Sequence, residues 1–278
     1  MTGADRRHSP RGDRQVAPAR EPLPFRPSLP ESIAGLPPFP AAATAILRAG
    51  LTQLGLDLDA AAQTALVDHA RLLLAWTEHI NLTAIQDPDR VAREHILDSL
   101  AAARLLRSGG VACLLDLGSG GGYPGIPLAI ALPGCAVTLV ESIAKKARFL
   151  ETAVRALGLG ARVNVVNARA ESLHPGDGAG VPVSAVCVRA VADLGVLARQ
   201  AAPLLVPGGW LVAWKRGDVA AEISAAADTI HASGFGRPEV HAVGLDGLED
   251  HLLVVLTMVR PGAIRHTRRP TGRRRRRW

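Results

Sequence analysis

The run Val111 to Pro127, VACLLDLGSGGGYPGIP, constrains the fold more than any other stretch of this chain. Its first part, Val111 to Leu117, is too short and too continuously apolar for an amphipathic helix, which predicts a strand covered on both faces. Gly118, Gly120, Gly121 and Gly122 follow, and without Cβ atoms they permit unusual backbone angles and let a ligand lie against bare backbone. Pro124 and Pro127 suit the first turn of a helix, where a missing N–H costs nothing. Strand, glycine loop and helix together open a doubly wound α/β sheet, so alternating strands and helices must follow.

They do. Further strands are predicted at Ala136–Glu141, Arg162–Asn167, Val183–Arg189 and Gly209–Trp214, and helices at Gly125–Leu132, Ile143–Leu157, Asp193–Leu205 and Val219–Ser233. Pro207-Gly208-Gly209 marks a tight turn. The alternation then stops: Pro238–Val243 and His251–Val259 read as two strands with no helix between them, a terminal antiparallel hairpin. Ahead of the loop, residues 41–109 read as helices: Ala42–Leu54, a second capped by Asp59 and running to about His79, and a third opened by Pro88 and continuing through Leu106. In the second, Leu66, Ala70, Leu73 and Leu74 share one face, which predicts packing on the sheet domain of residues 110–262.

Asp116, two positions before the first loop glycine, separates the ligands such a loop could serve. A carboxylate there repels a pyrophosphate and attracts the ammonium and sulfonium charges of S-adenosylmethionine. Glu141 ends the next strand, where a carboxylate accepts hydrogen bonds from ribose hydroxyls. The plain structural alternative is that both acids cap the helices that follow them. With the terminal hairpin, Asp116 favours a class I S-adenosylmethionine-dependent methyltransferase, a Rossmann-like sheet with an antiparallel last strand and an N-terminal helical extension. A nicotinamide-dependent oxidoreductase is the rival, and would normally continue with a sixth parallel strand.

Ligands of such sheets lie across the carboxyl ends of the strands. Gly118 and Gly120 are therefore candidate cofactor contacts, and Ala170 with Glu171, after the third strand, sits where an adenine edge would be read. Arg189 ends the fourth strand and must meet either a protein carboxylate or an anionic substrate. Lys215 and Arg216 end the fifth. Lys145, Lys146 and Arg148 open a helix, where cations oppose the macrodipole and a phosphate backbone would favour them. On the third helix His95, Asp98 and Ser99 share a side.

The net charge of +7 is unevenly placed: eight arginines and no acid lie within residues 265–278, and six arginines against four acids within residues 1–40, which leaves residues 41–264 at −3. Residues 1–40 are rich in Pro and Arg without apolar periodicity and read as a disordered leader, residues 263–278 as a disordered basic tail. Neither a secretory h-region nor an 18-residue apolar run is present, so no membrane association is expected. Cys113, Cys135 and Cys187 stand singly in or beside apolar runs, which reads as core cysteines of a reduced cytoplasmic protein with no metal site.

The chain has no Asn-Pro-Pro-aromatic run to hold an exocyclic amine and no Pro-Cys pair to add to a pyrimidine. An acceptor that needs neither nucleophile nor strong base fits best, and guanine N7, with a free lone pair at pH 7, is one. At this point Asn81-Leu82-Thr83 with Asp87-Pro88, then HILDS at residues 95–99, the loop from Asp116 to Pro127, Lys145 to Leu150, Arg189-Ala190 and Lys215 can be taken together. Over roughly Leu51 to Val259 the sequence resembles the bacterial small-subunit ribosomal RNA methyltransferase G family, RsmG or GidB. The resemblance implies methyl transfer from S-adenosylmethionine to N7 of a guanine in 16S ribosomal RNA, in the cytoplasm. It implies cofactor contacts at Gly118, Tyr123, Ala170, Glu171 and Arg189, and adds His95 and Asp98 to Arg189 and Lys215 as candidate catalytic residues. Arg216 intervenes between Lys215 and the glycine that usually follows it, and Val188 stands where serine is common. The expected state is a monomer whose partner is ribosomal RNA; a non-catalytic RNA-binding assembly factor with a retained cofactor pocket is the other reading.

The tail is the part no resemblance covers. Its arginines should bind phosphates without reading bases, so deleting residues 265–278 should weaken RNA affinity. For each phosphate that the shortened chain no longer neutralises, the slope of log affinity against log salt should fall by about 0.7 to 0.9, with the modified base unchanged. An unchanged slope in a salt titration would make the tail a passive extension.

Overall fold

The computed structural model describes residues 29–173, 182–189 and 192–260; the basic tail, residues 1–28 and Ala190 lie outside the described residues. The strands β1 (Cys113–Leu117), β2 (Ala136–Val140), β3 (Val163–Val166), β4 (Val183–Arg189), β5 (Leu205–Arg216), β6 (Glu239–Ala242) and β7 (His251–Thr257) form one sheet in the order β3-β2-β1-β4-β5-β7-β6. The first five are parallel, and β7 runs antiparallel between β5 and β6. This is the order expected of a class I methyltransferase, and the antiparallel hairpin lies where the sequence places it.

Strict alternation along the strands feeds two cores. Leu114, Val137, Ala185, Cys187, Val212, Leu253 and Val255 face one side, and Leu115, Val140, Val186, Val188, Leu211, Ala213 and Val254 the other. The second side is covered by α8 (Leu194–Ala201) and α9 (Ala220–Ala232). The first is covered by α6 (Gly125–Ala131), α7 (Ala144–Ala156) and the N-terminal helices. Of these, α1 (Ala41–Gln53) and α2 (Ala60–Thr77) match the predicted helices, and Asp59 caps α2 by accepting from the Ala62 N–H at 2.7 Å.

Three expectations need correction. The leader is not unstructured throughout: Leu29, Ile33, Leu36 and Phe39 pack on the core, and Trp76 Nε1 donates to the Pro30 carbonyl at 2.7 Å. The apolar residues are too sparse for a helix or strand, yet they suffice for a strap. The helix opened by Pro88 does not run through to Leu106. It consists of α3 (Pro88–Arg90), a π-helical segment Val91–Leu97 and α4 (Asp98–Leu100), and after a turn α5 (Ala103–Ser108) follows. Finally, Pro207-Gly208-Gly209 does not precede β5 but forms an excursion within it: Val183 pairs with Leu205 and Ala185 with Trp210.

The π-helical segment carries His95 and is held by α1, whose Gly50 lies against Leu97; a Cβ on Gly50 would come 2.2 Å from Leu97 Cδ1. Helix propensity alone favours Ala over Gly by about 1 kcal/mol. Overpacking should reverse that sign, with Gly50→Ala destabilising the chain by about 1–3 kcal/mol in urea unfolding. A variant at least as stable as the parent would show that Leu97 has room to retreat.

Candidate active site at the carboxyl edge of the sheet

The glycine loop is held from beneath by the two acids singled out above. Asp116, in β1, is fully buried: Oδ2 accepts the Gly125 N–H at 2.9 Å, and its backbone oxygen accepts the Ser119 hydroxyl at 3.0 Å. Gly125 allows that approach because a Cβ there would lie 2.6 Å from Oδ2. Burial pushes the carboxyl up to about 7, against the opposing effect of the Gly125 hydrogen bond, and Oδ1 is buried without a partner among the described residues. The carboxyl thus sits under the loop and anchors the start of α6 through one oxygen, while the other makes no hydrogen bond among the described residues. Glu141, just after β2, accepts from the Gly120 N–H at 3.0 Å and the Ile143 N–H at 2.7 Å. Neither acid is itself an N-cap, those positions being Pro124 and Ile143, but both bond backbone N–H groups at or just before a helix start, and Glu141 joins the loop to the next one while it retains acceptor capacity for hydroxyl groups.

Above them a cleft of about 190 Å³ is lined by Gly118, Ser142, Ala170, Glu171, Val188 and Gln200, among others. Gly118 is exposed and has φ 75°, so it presents bare backbone to the cleft. Ala170 and Glu171 form a short 3₁₀ turn, with Glu171 accepting from Gln200 Nε2 at 2.6 Å. An exposed left-handed glycine, the Glu171 carboxylate and an apolar wall of Val140 and Val188 fit a nucleoside, which is the part of S-adenosylmethionine such a cleft would hold.

A second cavity, of about 430 Å³, is lined by Ile85, Glu94, His95, Asp98, Arg189, Ala192, Trp214, Lys215, Arg216 and His251. Val188 lines the first cleft and its neighbour Arg189, the last residue of β4, lines the second. Arg189 donates to the Glu94 carbonyl at 3.0 Å, to His95 Nδ1 at 3.1 Å and to Asp98 Oδ2 at 3.4 Å. His95 Nε2 lies 2.7 Å from the Thr83 hydroxyl. Since Nδ1 receives a guanidinium N–H, Nε2 carries the proton and donates to Thr83. Burial, reinforced by the Arg189 charge, pulls the His95 pKa down to about 3, so this neutral tautomer holds at any working pH.

Asp98 is the second hub. Its Oδ1 lies 2.8 Å from His251 Nδ1, and its backbone oxygen accepts Trp214 Nε1–H at 2.8 Å. Lys215, expected to face a substrate, has its ammonium engaged by Glu222 Oε1 at 2.6 Å and the Ala192 carbonyl at 2.8 Å, and Glu222 also accepts the Leu194 N–H at 2.7 Å. Arg189 likewise meets a protein carboxylate, the first of the two alternatives left open for it. Ser99 is fully buried and donates its hydroxyl to the His95 carbonyl, so of the three residues sharing a helix side only His95 and Asp98 reach the cavity.

Tyr123, named above as a cofactor contact, has its side chain turned into the protein. Its ring stacks between His69 and His95, with centroids 4.5 and 4.8 Å away, and Arg189 lies 5.5 Å from its centroid. Its hydroxyl is buried without a partner among the described residues. The side chain is an internal wedge behind Arg189. Of the three cations at the start of α7, Lys145 and Arg148 are exposed and Lys146 is half-buried, and Arg148 lies 3.9 Å from Glu31 Oε1. The sequence did not single out Thr83 as a partner of His95, nor Glu94, Trp214, Glu222, His69 or His251.

The raised pKa of Asp116 makes a test. An acid that binds protons more tightly in the folded chain adds stability below its unfolded value and loses that contribution as pH rises to the folded value. Asp116→Asn keeps an oxygen for Gly125 and removes the titration. The stability of the parent relative to this variant should therefore fall from the ordinary 3.8 up to about pH 7 and level off above it. Parallel curves in denaturant titrations across that range would refute the buried, proton-binding carboxyl.

The family model for rRNA small subunit methyltransferase G, GidB, matches residues 62–252, well over half of the chain. The ribosomal RNA small subunit methyltransferase G of Stenotrophomonas maltophilia strain K279a is 47% identical over 178 residues, 64% of this chain and 79% of that protein. That of Aromatoleum aromaticum is 41% identical over 217 residues, 76% of this chain and 97% of that protein, so the match extends beyond the sheet into the N-terminal helices. Among solved structures, an S-adenosylmethionine-dependent O-methyltransferase from Thermotoga maritima superposes with a TM-score of 0.49 at 19% identity, covering 68% of this chain and 71% of that one; the fold assignment rests instead on strand order. On the extent of the family match and 41% identity to a relative spanned almost end to end, this chain belongs to the small-subunit ribosomal RNA methyltransferase G family.

Proposed function

We propose that the chain transfers a methyl group from S-adenosylmethionine to N7 of a guanine in 16S ribosomal RNA, acting as a monomer in the cytoplasm. The observation that carries this reading is the pair of cavities lined by consecutive residues at the end of β4, Val188 in the first, which is fitted to a nucleoside, and Arg189 in the second, which is walled by a hydrogen-bonded cluster of cations and carboxylates. Bound in the first, the cofactor supplies an electrophilic methyl group. The nicotinamide reading is set aside by family and by strand order.

The chain's own contribution is positioning. Guanine N7 has no proton to lose, so no general base is required, and the two nearest candidates are already committed. His95 has both ring nitrogens engaged, and Asp98 is held by Arg189 and His251. An N7 acceptor must keep its lone pair free, so a donor can hold O6 but not N7. Arg189, fixed on three sides, supplies oriented N–H groups and positive charge at the end of β4, where charge is redistributed as the methyl group moves. The walls of Trp214 and Ile85 give a base an apolar surface to rest on. In this arrangement Lys215 acts at one remove, ordering Ala192 and the start of α8 beyond β4 through Glu222.

The reading is tested by incubating the protein with methyl-labelled cofactor and small-subunit RNA, free or in particles, and mapping the product. One labelled N7-methylguanine is the expected result, and label on another atom or none would end it. Arg189→Lys retains the charge but cannot reproduce a fork that donates to three partners. It should slow single-turnover transfer by about ten- to a hundredfold, the effect of losing a hydrogen bond to a charged group. S-adenosylmethionine, and not NAD, should raise the melting temperature.

A further inference from the structure

We infer that His251 is a positioning residue for methyl transfer, holding the Asp98 carboxylate in the one orientation that lets its other oxygen brace Arg189. His251 opens β7 and is 4% exposed. Because β7 runs antiparallel to β5, pairing His251 with Arg216, its first residue arrives at the edge where the parallel strands end. There the imidazole lines the 430 Å³ cavity together with Glu94, His95, Arg189, Lys215 and Arg216.

The geometry assigns each atom a task. Asp98 Oδ1 accepts from His251 Nδ1 at 2.8 Å, while Oδ2 lies 3.4 Å from Arg189 Nη1. A carboxylate on a helix can rotate about its Cβ–Cγ bond, and a partner on one oxygen fixes the direction of the other. The side chain of Asp98 is only 4% exposed, so water cannot replace a missing partner at little cost. The line of interactions runs from His251 to Asp98 to Arg189, and Arg189 also leans on His95 and the Tyr123 ring. His251 touches no reacting group in this scheme. It acts through Asp98.

This inference rests on the methyl-transfer reading, and the test separates the two. The full-length chain is compared with His251→Asn, His251→Phe, Asp98→Asn and the double variant His251→Phe with Asp98→Asn. Readouts are single-turnover methylation at saturating small-subunit RNA, the KM values for cofactor and RNA, and the melting temperature. His251→Phe should lower the rate constant by about ten- to a hundredfold with both KM values little changed. Asparagine, whose Nδ2–H can take the place of the imidazole Nδ1–H, should recover most of that loss. Asp98→Asn should add little to His251→Phe, because the two act as one unit. Full turnover in His251→Phe, equal losses in the Phe and Asn variants, or losses that simply multiply would each overturn the inference. Nitrogen NMR of the wild-type imidazole decides the pairing even if a variant fails to fold: Nδ1 is expected to carry a proton, and a tautomer protonated only at Nε2 would overturn it. A wild-type chain that methylates no ribosomal RNA would defeat the functional reading itself, whereas a methylating wild type with an unaffected His251→Phe would defeat this inference alone.

Discussion

The bonding of Asp98 to three strands determines whether the rest of the site exists. The residue sits on a helix outside the sheet, yet it meets Arg189 from β4, Trp214 from β5 and His251 from β7. The N-terminal helices are thereby keyed to the sheet at one point as well as packed on it. Removing one member of a buried pair leaves an uncompensated charge, a loss of about 3–5 kcal/mol, so the helices cannot shift without a penalty the apolar interface alone would not impose. The same interaction commits Arg189's charge internally. A guanidinium that is paired, hydrogen-bonded to a neutral imidazole and backed by an aromatic ring cannot relax toward a ligand, which is what preorganised electrostatics requires.

The glycine loop is rigid for a related reason. Asp116 and Glu141 lie below and beside it and bond to Gly125, Gly120 and Ile143. Four glycines in five positions are costly to order because each loses much conformational entropy, and the carboxylate bonds to N–H groups in and beside the loop offset part of that cost. Burial of Asp116 opposes its ionisation, so the anchor comes with a perturbed acid at the centre of the fold. The sequence pattern singles out both acids and points them at the ligand. The structure shows their bonds to loop and helix-start N–H groups, partners that no spacing rule identifies.

Much of the sheet was legible for a simple reason: strands covered on both faces are largely apolar runs of limited length, and β1, β2, β4, the second half of β5 and β7 are of that kind. Legibility failed where one signal serves two structures. The pattern from Pro88 onward is apolar at helical intervals, but a π-helical segment shifts the face by a residue within that interval, and the pattern does not distinguish the two windings. Leu29 to Phe39 carry four apolar residues among prolines, a composition shared by linkers and by straps. Arg189, His95 and Asp98 stand out in the sequence as separate residues. That they form one cluster depends on the closure of helix onto sheet, and Thr83, Glu94 and Trp214 join it by position alone. His251 escapes a rule that selects the residues following each strand, because that rule is valid only for parallel strands. An antiparallel strand delivers its beginning to the same edge.

The charge distribution divides the work of recognition. Within the second cavity Arg189 and Lys215 are committed to Asp98 and Glu222, and Arg216 lies 3.6 Å from Glu94. Residues 41–264 carry a net charge of −3, while residues 265–278 alone carry eight arginines. A polyanionic substrate cannot therefore be drawn to the folded body by net charge, and within the cavity it meets cations whose charges are largely balanced by protein. Under the methyl-transfer reading, discrimination of the base falls to the shaped, internally paired cavity, and long-range attraction to phosphates falls to Lys145, Arg148 and the arginines beyond the sheet. Separating the two keeps the site's electrostatics insensitive to salt, since buried pairs are weakly screened, and leaves association with RNA strongly dependent on it.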